Sequence, residues 1–169
     1  MRVAVSVAVL VLAASGFAAA SPSAPSHRIS QRAIGDAPLG LTKRGYERAL
    51  GRPSITTRFG HSLTRLVYAD RELAVYLSRT GRGVAVLTSA KEYRTAAGVG
   101  PCSTVASLKR VYRGQLLTQR RAGQVVAYRL GRLVFAARGA RVGTVMLAGR
   151  GFPTTIAVNA GQCGAGEEG

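Results

Sequence analysis

Two histidines, two cysteines and a large excess of arginine are the residues of this 169-residue chain that could do chemistry. His61 follows Gly60 in a stretch that reads as a turn between strands. With Asp70 or Glu72 as helper it has the makings of a general base, and hydrolysis is the reaction class such a base would serve. An exposed turn histidine needs no such role, and that plainer reading competes with it. His27 lies in a Ser/Pro-rich stretch that offers nothing to hold it in place. Asp36, Glu47 and Glu92 are scattered and propose no carboxylate pair of the glycosidase kind. There is no G-x-S-x-G elbow and no Walker-type phosphate loop, and Gly98-x-Gly100 reads as an entry loop, too short for a dinucleotide fingerprint. Two Cys and two His without C-x-x-C spacing do not make a zinc site. The expectation is therefore a protein that is not an enzyme, with no metal and no cofactor.

The compartment follows from the first twenty residues. Arg2 supplies a short positive region, Val3 to Ala14 an apolar core, and Ala18-Ala19-Ala20 a small-residue cleavage site followed by Ser21-Pro22. This is the pattern of a secretory signal peptide. The run is short for a membrane anchor and lacks basic residues after it, and no later segment is apolar enough to span a bilayer. The expected product is secreted, free or held at the cell wall, with no transmembrane segment in the mature chain. In that compartment an even pair of cysteines, Cys102 and Cys163, favours a disulfide.

The arginines are the next signal. The chain carries a net charge of +17, and all but three of its basic residues are arginine; the lysines are Lys43, Lys91 and Lys109. Arg129, Arg132, Arg138 and Arg141 cluster around one hairpin, and guanidinium forks suit phosphate and carboxylate. Such a chain favours a polyanion: a wall polymer, an anionic lipid headgroup, nucleic acid or an acidic protein. No aromatic–basic interleaving of the RNA-binding kind appears, so no specific nucleic acid is expected. The competing reading is a solvated face with GC-rich coding, its arginines blocking edge-to-edge strand pairing.

These residues must be positioned by short elements, and the elements read twice. Moving Tyr68 to Leu87 forward by 60 positions lays Tyr68 on Tyr128, Leu73 on Leu133, Val75 on Phe135, Val86 on Met146 and Leu87 on Leu147. Upstream, a shift of 62 lays Thr42 on Thr104, Tyr46 on Leu108 and Arg48 on Arg110, with a two-residue indel between helix and strands. A fixed-shift match of this kind is the mark of duplicated supersecondary structure. In the first copy Thr42 caps a helix that Gly51-Arg52-Pro53 stops. Strands follow around 54–59, 62–68, 73–77 and 84–87. In the second, Ser103 or Thr104 caps a helix that Arg113-Gly114 ends. Strands follow around 115–119, 125–130, 133–137 and 143–147, and a final run, 154–158, leads to Cys163. Leu73, Val75 and Leu77 alternate with Ala74 and Tyr76, the period of a half-buried strand.

The expected layout is a leader over 1–20, a flexible linker over 21–33, α+β units over 34–95 and 96–163, and a disordered tail over 164–169. Each unit is a short helical segment on a small antiparallel sheet. The two lie side by side, with helices on one face and the other face open. Tyr76 and Phe135 are the aromatic candidates for that open face. The tyrosines at repeat-matched places otherwise belong to the core.

The motif Gly40-Leu41-Thr42-Lys43-Arg44-Gly45-Tyr46-Glu47-Arg48-Ala49-Leu50-Gly51-Arg52-Pro53 and its partner Gly98-Val99-Gly100-Pro101-Cys102-Ser103-Thr104-Val105-Ala106-Ser107-Leu108-Lys109-Arg110-Val111-Tyr112 carry a resemblance. They resemble the tandem units of the β-lactamase inhibitory proteins. They also resemble the BamE-like lipoproteins of the outer-membrane β-barrel assembly machine. The resemblance covers about residues 33–163 and implies a non-enzymatic binding module. Its partner would be a protein or cell-envelope component engaged through the open sheet face. It does not imply inhibition of a β-lactamase. The inhibitors present an aromatic-rich concave face and a disulfide in each unit, whereas this chain has no Trp and no cysteine in its first unit.

Overall fold

The computed structural model of the protein describes residues 26–153 and 155–158. The leader, residues 21–25 of the linker, and the tail with Cys163 lie outside the described residues. The chain is mixed α+β, mostly strand, arranged in two sheets of four and eight strands.

The small sheet is made of two-residue strands: β1 (Arg28–Ile29), β2 (Ala33–Ile34), β3 (Ala37–Pro38) and β8 (Arg94–Thr95). Its order is β3-β2-β1-β8, with β8 parallel to β1. Part of the segment expected as a flexible linker is thus built into the fold, and Ile29 is buried. Gln31 ties the same segment to the far end of the chain. Its amide donates to Leu130 O at 2.9 Å and accepts from Arg132 N at 2.8 Å.

The large sheet takes all eight expected strands. These are β4 (Ile55–Phe59), β5 (Leu63–Tyr68), β6 (Leu73–Ser78), β7 (Gly83–Thr88), β9 (Leu117–Arg121), β10 (Gln124–Leu130), β11 (Leu133–Arg138) and β12 (Arg141–Ala148). Their order is β4-β5-β6-β7-β12-β11-β10-β9. Each half is a meander of consecutive strands, and the halves join antiparallel at β7 and β12 through Ala85↔Ala148 to Thr88↔Val145. One register line crosses all eight strands: Ile55, Val67, Ala74, Leu87, Met146, Val134, Arg129, Leu117.

That line corrects the residue matches read from sequence. Val75 pairs with Val86, and Phe135 pairs with Val145, so Val86 corresponds to Val145 and not to Met146. Val86 faces the first core and Met146 the second, while Leu87 and Leu147 are split the other way. A one-residue slip moves a side chain to the opposite face, and the expected shift of 60 in this strand is one too long. The hairpin turns explain it: three residues, 79–81, lie between Ser78 and Arg82, whereas two, Gly139 and Ala140, lie between the equivalent Arg138 and Arg141. Likewise Tyr128, opposite Phe135, takes the place of Leu66, opposite Val75, rather than that of Tyr68. The two-residue indel lies in the β5–β6 connection, a 3-10 turn over Ala69–Arg71, and not between helix and strands.

The helices are α1 (Lys43–Leu50) and α2 (Val105–Val111). Thr42 accepts from Gly45 N at 3.3 Å and Thr104 from Ser107 N at 3.0 Å, so both caps act as their residue types require. Thr42 bridges Arg82 and Thr104 bridges Arg141, so both helix starts are stitched to the same place in the sheet. Tyr46 and Leu108 are fully buried under them in the first core. Gly83 is required by this packing, since a Cβ there would lie 1.9 Å from Tyr46 Oη.

The second face is not open at its centre. The segment after β12 turns back over it, and the run 154–158, expected to be extended, ends in the short helix α3 (Thr155–Val158). Phe152, Ile156 and Ala157 pack on Ala74, Tyr76, Leu87, Val134 and Met146. Strand β6 is therefore buried on both faces rather than half-buried.

Candidate functional site

Tyr76 and Phe135 are 5% and 0% exposed and lie on opposite faces of the sheet. Tyr76 packs on Phe152 with ring centroids 5.7 Å apart, and the Arg65 guanidinium carbon lies 6.0 Å from its ring centroid. Phe135 packs on Tyr112 at 6.2 Å. Neither ring is presented to a partner. Tyr46, Tyr68 and Tyr128 are buried as well, and Tyr112 is half-buried. Burial pushes the Tyr46 phenol well above its ordinary range and the Tyr68 phenol up to about 12, with a smaller contribution from Glu47 to the latter. Tyr46 donates its hydroxyl hydrogen to Pro38 O, while the buried Tyr68 hydroxyl has no partner among the described residues.

His61 sits exposed in the β4–β5 turn, in a hollow lined by Arg58, Ser62, Thr64, Ser78 and Arg79. Its expected helpers are at the wrong end. Asp70 and Glu72 follow the C-terminus of β5, whose six residues put roughly 20 Å between the two sites at ~3.3 Å per residue. Asp36 instead pairs with Arg71 at 3.5 Å. The described residues hold no group of three His, Cys, Asp or Glu side chains placed for a metal.

The four candidate arginines divide into two kinds. Arg129 is half-buried in the register line where the first half has Val67, and its Nε donates to Gly131 O at 2.8 Å. Arg141 donates to Cys102 O at 3.3 Å, just as Arg82 donates to Gly40 O at 3.1 Å. Both guanidiniums therefore hold loops. Arg132 and Arg138 are exposed, and neither guanidinium has a hydrogen bond or ion pair among the described residues. Cys102 is not a free cysteine; Cys163, its expected partner, lies outside the described residues.

Charge separates the halves more sharply than the hairpin cluster alone. Residues 26–92 carry twelve basic and five acidic side chains, whereas residues 93–158 carry eleven basic and no acidic ones. Both ion pairs among the described residues, Lys43–Glu47 and Arg71–Asp36, lie in the first stretch. This asymmetry could have been counted from sequence once the boundary between the halves was drawn.

A cleft of about 550 Å³ opens in the second half between the end of α2 and strands β9 and β10. Lys109, Arg110 and Arg113 line it beside Tyr112, Thr118 and Tyr128. Lys109 Nζ lies 5.3 Å from the centroid of the Tyr128 ring, a cation–π contact. The spacing from helix cap to cleft was present in the sequence, but the fold is needed to bring Tyr128 under the helix.

Among the described residues no helix is long and apolar enough to cross a membrane. Comparison with family models, with curated proteins and with solved structures finds no match.

Proposed function

We propose that this chain is an exported, non-catalytic binding module that engages an anionic component of the cell envelope through its second half. The observation that carries the reading is the absence of any acidic side chain among eleven basic ones over residues 93–158. A solvated face produced by composition alone would mix signs, as the first half does. Unneutralised cations on one side of a molecule raise the local concentration of an anionic partner and orient its approach.

The scaffold for this reading is a pair of tandem units, 34–95 and 96–163, each a capped helix followed by a four-strand meander. The matched caps, the matched bridges and the matched Arg82 and Arg141 tethers support it. This is the layout that the β-lactamase inhibitory proteins and the BamE-like lipoproteins suggest for the fold. A Cys102–Cys163 bridge belongs to the same reading, and peptide mapping of the unreduced protein tests it.

A second reading has its own support. Ile55, Phe59 and Leu117 are exposed apolar side chains on the two outermost strands, 47–68% accessible, and offer a protein partner a hold on the sheet's flanks.

The test is retention on isolated envelope and on an anionic polymer resin across a salt series. Retention is expected at low salt and release as salt rises, because bound cations displace condensed counterions on a polyanion. Charge reversal of Arg110, Arg132 and Arg138 should abolish retention, while reversal of Arg48, Arg58 and Arg79 should leave most of it. Equal losses from the two sets would overturn the assignment to the second half. Salt-insensitive retention lost on Ile55→Asp and Leu117→Asp would favour the protein-docking reading.

A further inference from the structure

We infer that the cleft between α2 and strands β9 and β10 is a discrete site for a phosphate ester carried on a polyol or sugar. This rests on the anionic-partner reading above and narrows it to one place and one chemistry. Lys109, Arg110 and Arg113 converge on the cleft, all exposed, and none has a hydrogen bond or ion pair among the described residues. Two guanidinium forks and an ammonium match an oxyanion that has several oxygens to share. The cleft's volume, about 550 Å³, exceeds one phosphate and leaves room for the group that bears it. Thr118 adds a hydroxyl group for a polyol, while Tyr112, whose hydroxyl donates to Thr95 Oγ1 at 2.8 Å, and Tyr128 add aromatic surface. The carbonyl end of α2 lies here too and is slightly unfavourable to an anion, but three full cations outweigh a half-charge.

The matching place in the first half supplies the control. Five residues after the cap, Glu47 stands where the second half has Lys109, and it pairs with Lys43 at 3.7 Å. Gly51 stands where Arg113 does, Leu50 where Tyr112 does, and Leu66 where Tyr128 does. Arg44 and Arg52 stand in the first half where Ala106 and Gly114 line the cleft, so cations are present in both frames. What differs is their setting: the first half places an acid, Glu47, among them and has no phenol at the two matched places, whereas the second half's cleft is purely cationic and tyrosine-lined.

The experiment is an NMR titration of the full chain with inorganic phosphate, glycerol 3-phosphate, a short glycerol-phosphate oligomer and phosphatidylglycerol vesicles. Shifts should concentrate in the amides of 106–118 and in the ring signals of Tyr112 and Tyr128. Lys109→Glu should weaken the oligomer about tenfold, the loss of one charge-assisted contact, and Arg113→Gly should act in the same direction. Arg58→Glu, a β4 cation outside the cleft, should change affinity less than about twofold. Preference for the soluble oligomer over vesicles identifies a polymer, and the reverse identifies a lipid headgroup; the phosphate site stands in both. Equal losses from Lys109→Glu and Arg132→Glu, with shifts spread over the second half, would overturn the discrete site and leave the anionic partner intact. Binding of polyglutamate without binding of any phosphate probe would overturn the phosphate chemistry alone. If no anionic probe binds at low salt, both the site and the broader reading fall.

Discussion

The two halves of the eight-stranded sheet share a strand order, a helix cap and a loop tether, yet they spend their side chains differently. The first half balances its charge locally: Lys43 meets Glu47, Arg71 meets Asp36, and Arg82 holds Gly40. The second half keeps the tether through Arg141 but has no acid to offer its remaining cations. The cores differ too. Tyr46 over Gly83 in the first half corresponds to Leu108 over Val142 in the second, a large–small pair against two middle-sized residues. The shared features and the core pairs report on folding, and the difference in charge is the one on which the proposed binding role rests.

The comparison is broken most strongly through the core. Phe135→Ala should cost about 3–5 kcal/mol, and Val75→Ala, at the matching place, roughly 2 kcal/mol, both read from urea denaturation midpoints. A Phe135→Ala chain of unchanged stability that had lost binding would return this ring to the contact surface. Next comes the large–small pair. Gly83→Val gives the first half the second half's residue and should cost about 3 kcal/mol, because its side chain meets the Tyr46 hydroxyl. Adding Tyr46→Leu should recover a good part of that loss, with a coupling of about 1–2 kcal/mol. Strictly additive penalties would mean that the two sites are not equivalent packing solutions.

The caps sharpen the comparison at a smaller scale. Thr42→Ala and Thr104→Ala should each cost about 1 kcal/mol, equally, since both hydroxyls cap the first turn in the same way. Unequal costs in thermal melts would show that one helix is held mainly by its packing. The smallest effect belongs to Tyr68. Its buried hydroxyl has no partner among the described residues, so Tyr68→Phe should be neutral to slightly stabilising at pH 7, within about 0.5 kcal/mol. Alkali separates the two chains. Burial pushes the Tyr68 phenol up to about 12 from an ordinary 10.0. It therefore does not weaken the fold below pH 10, and stability falls as pH rises from there through about 12, where the unfolded phenol ionises more readily than the folded one. The Phe variant should show a shallower decline over that window, and an unchanged slope would place the titration on another tyrosine.

Much of the large sheet was legible because its turns are written in glycine and its strands alternate. All eight strands fall within two residues or so of where Val, Leu and Tyr spacing put them. The small sheet was not legible, because two-residue strands such as Arg28–Ile29 are too short to show any period. The halves were matched in the wrong register in β5 and β7 for a related reason: side-chain pattern fixes which face a residue takes, but the length of each connection sets the offset between halves. Tyr68 and Tyr128 fell into line by identity although they occupy places two residues apart. The cover on the second face was hidden because strand periodicity cannot say what lies on top. The cleft needed the fold to bring α2 and Tyr128 together, although its cations were countable from the start.

The seam between β7 and β12 has one more consequence. Among the described residues every other pairing in the large sheet joins neighbours along the chain, so it can close within a few residues. The seam must wait until residue 141 has emerged. Until then β7, reading Gly-Val-Ala-Val-Leu-Thr, has an unsatisfied edge rich in β-formers. A chain cut short before β12 would keep its first meander and expose that edge to a neighbouring molecule, so the late strand closes the sheet and also guards against self-association during synthesis.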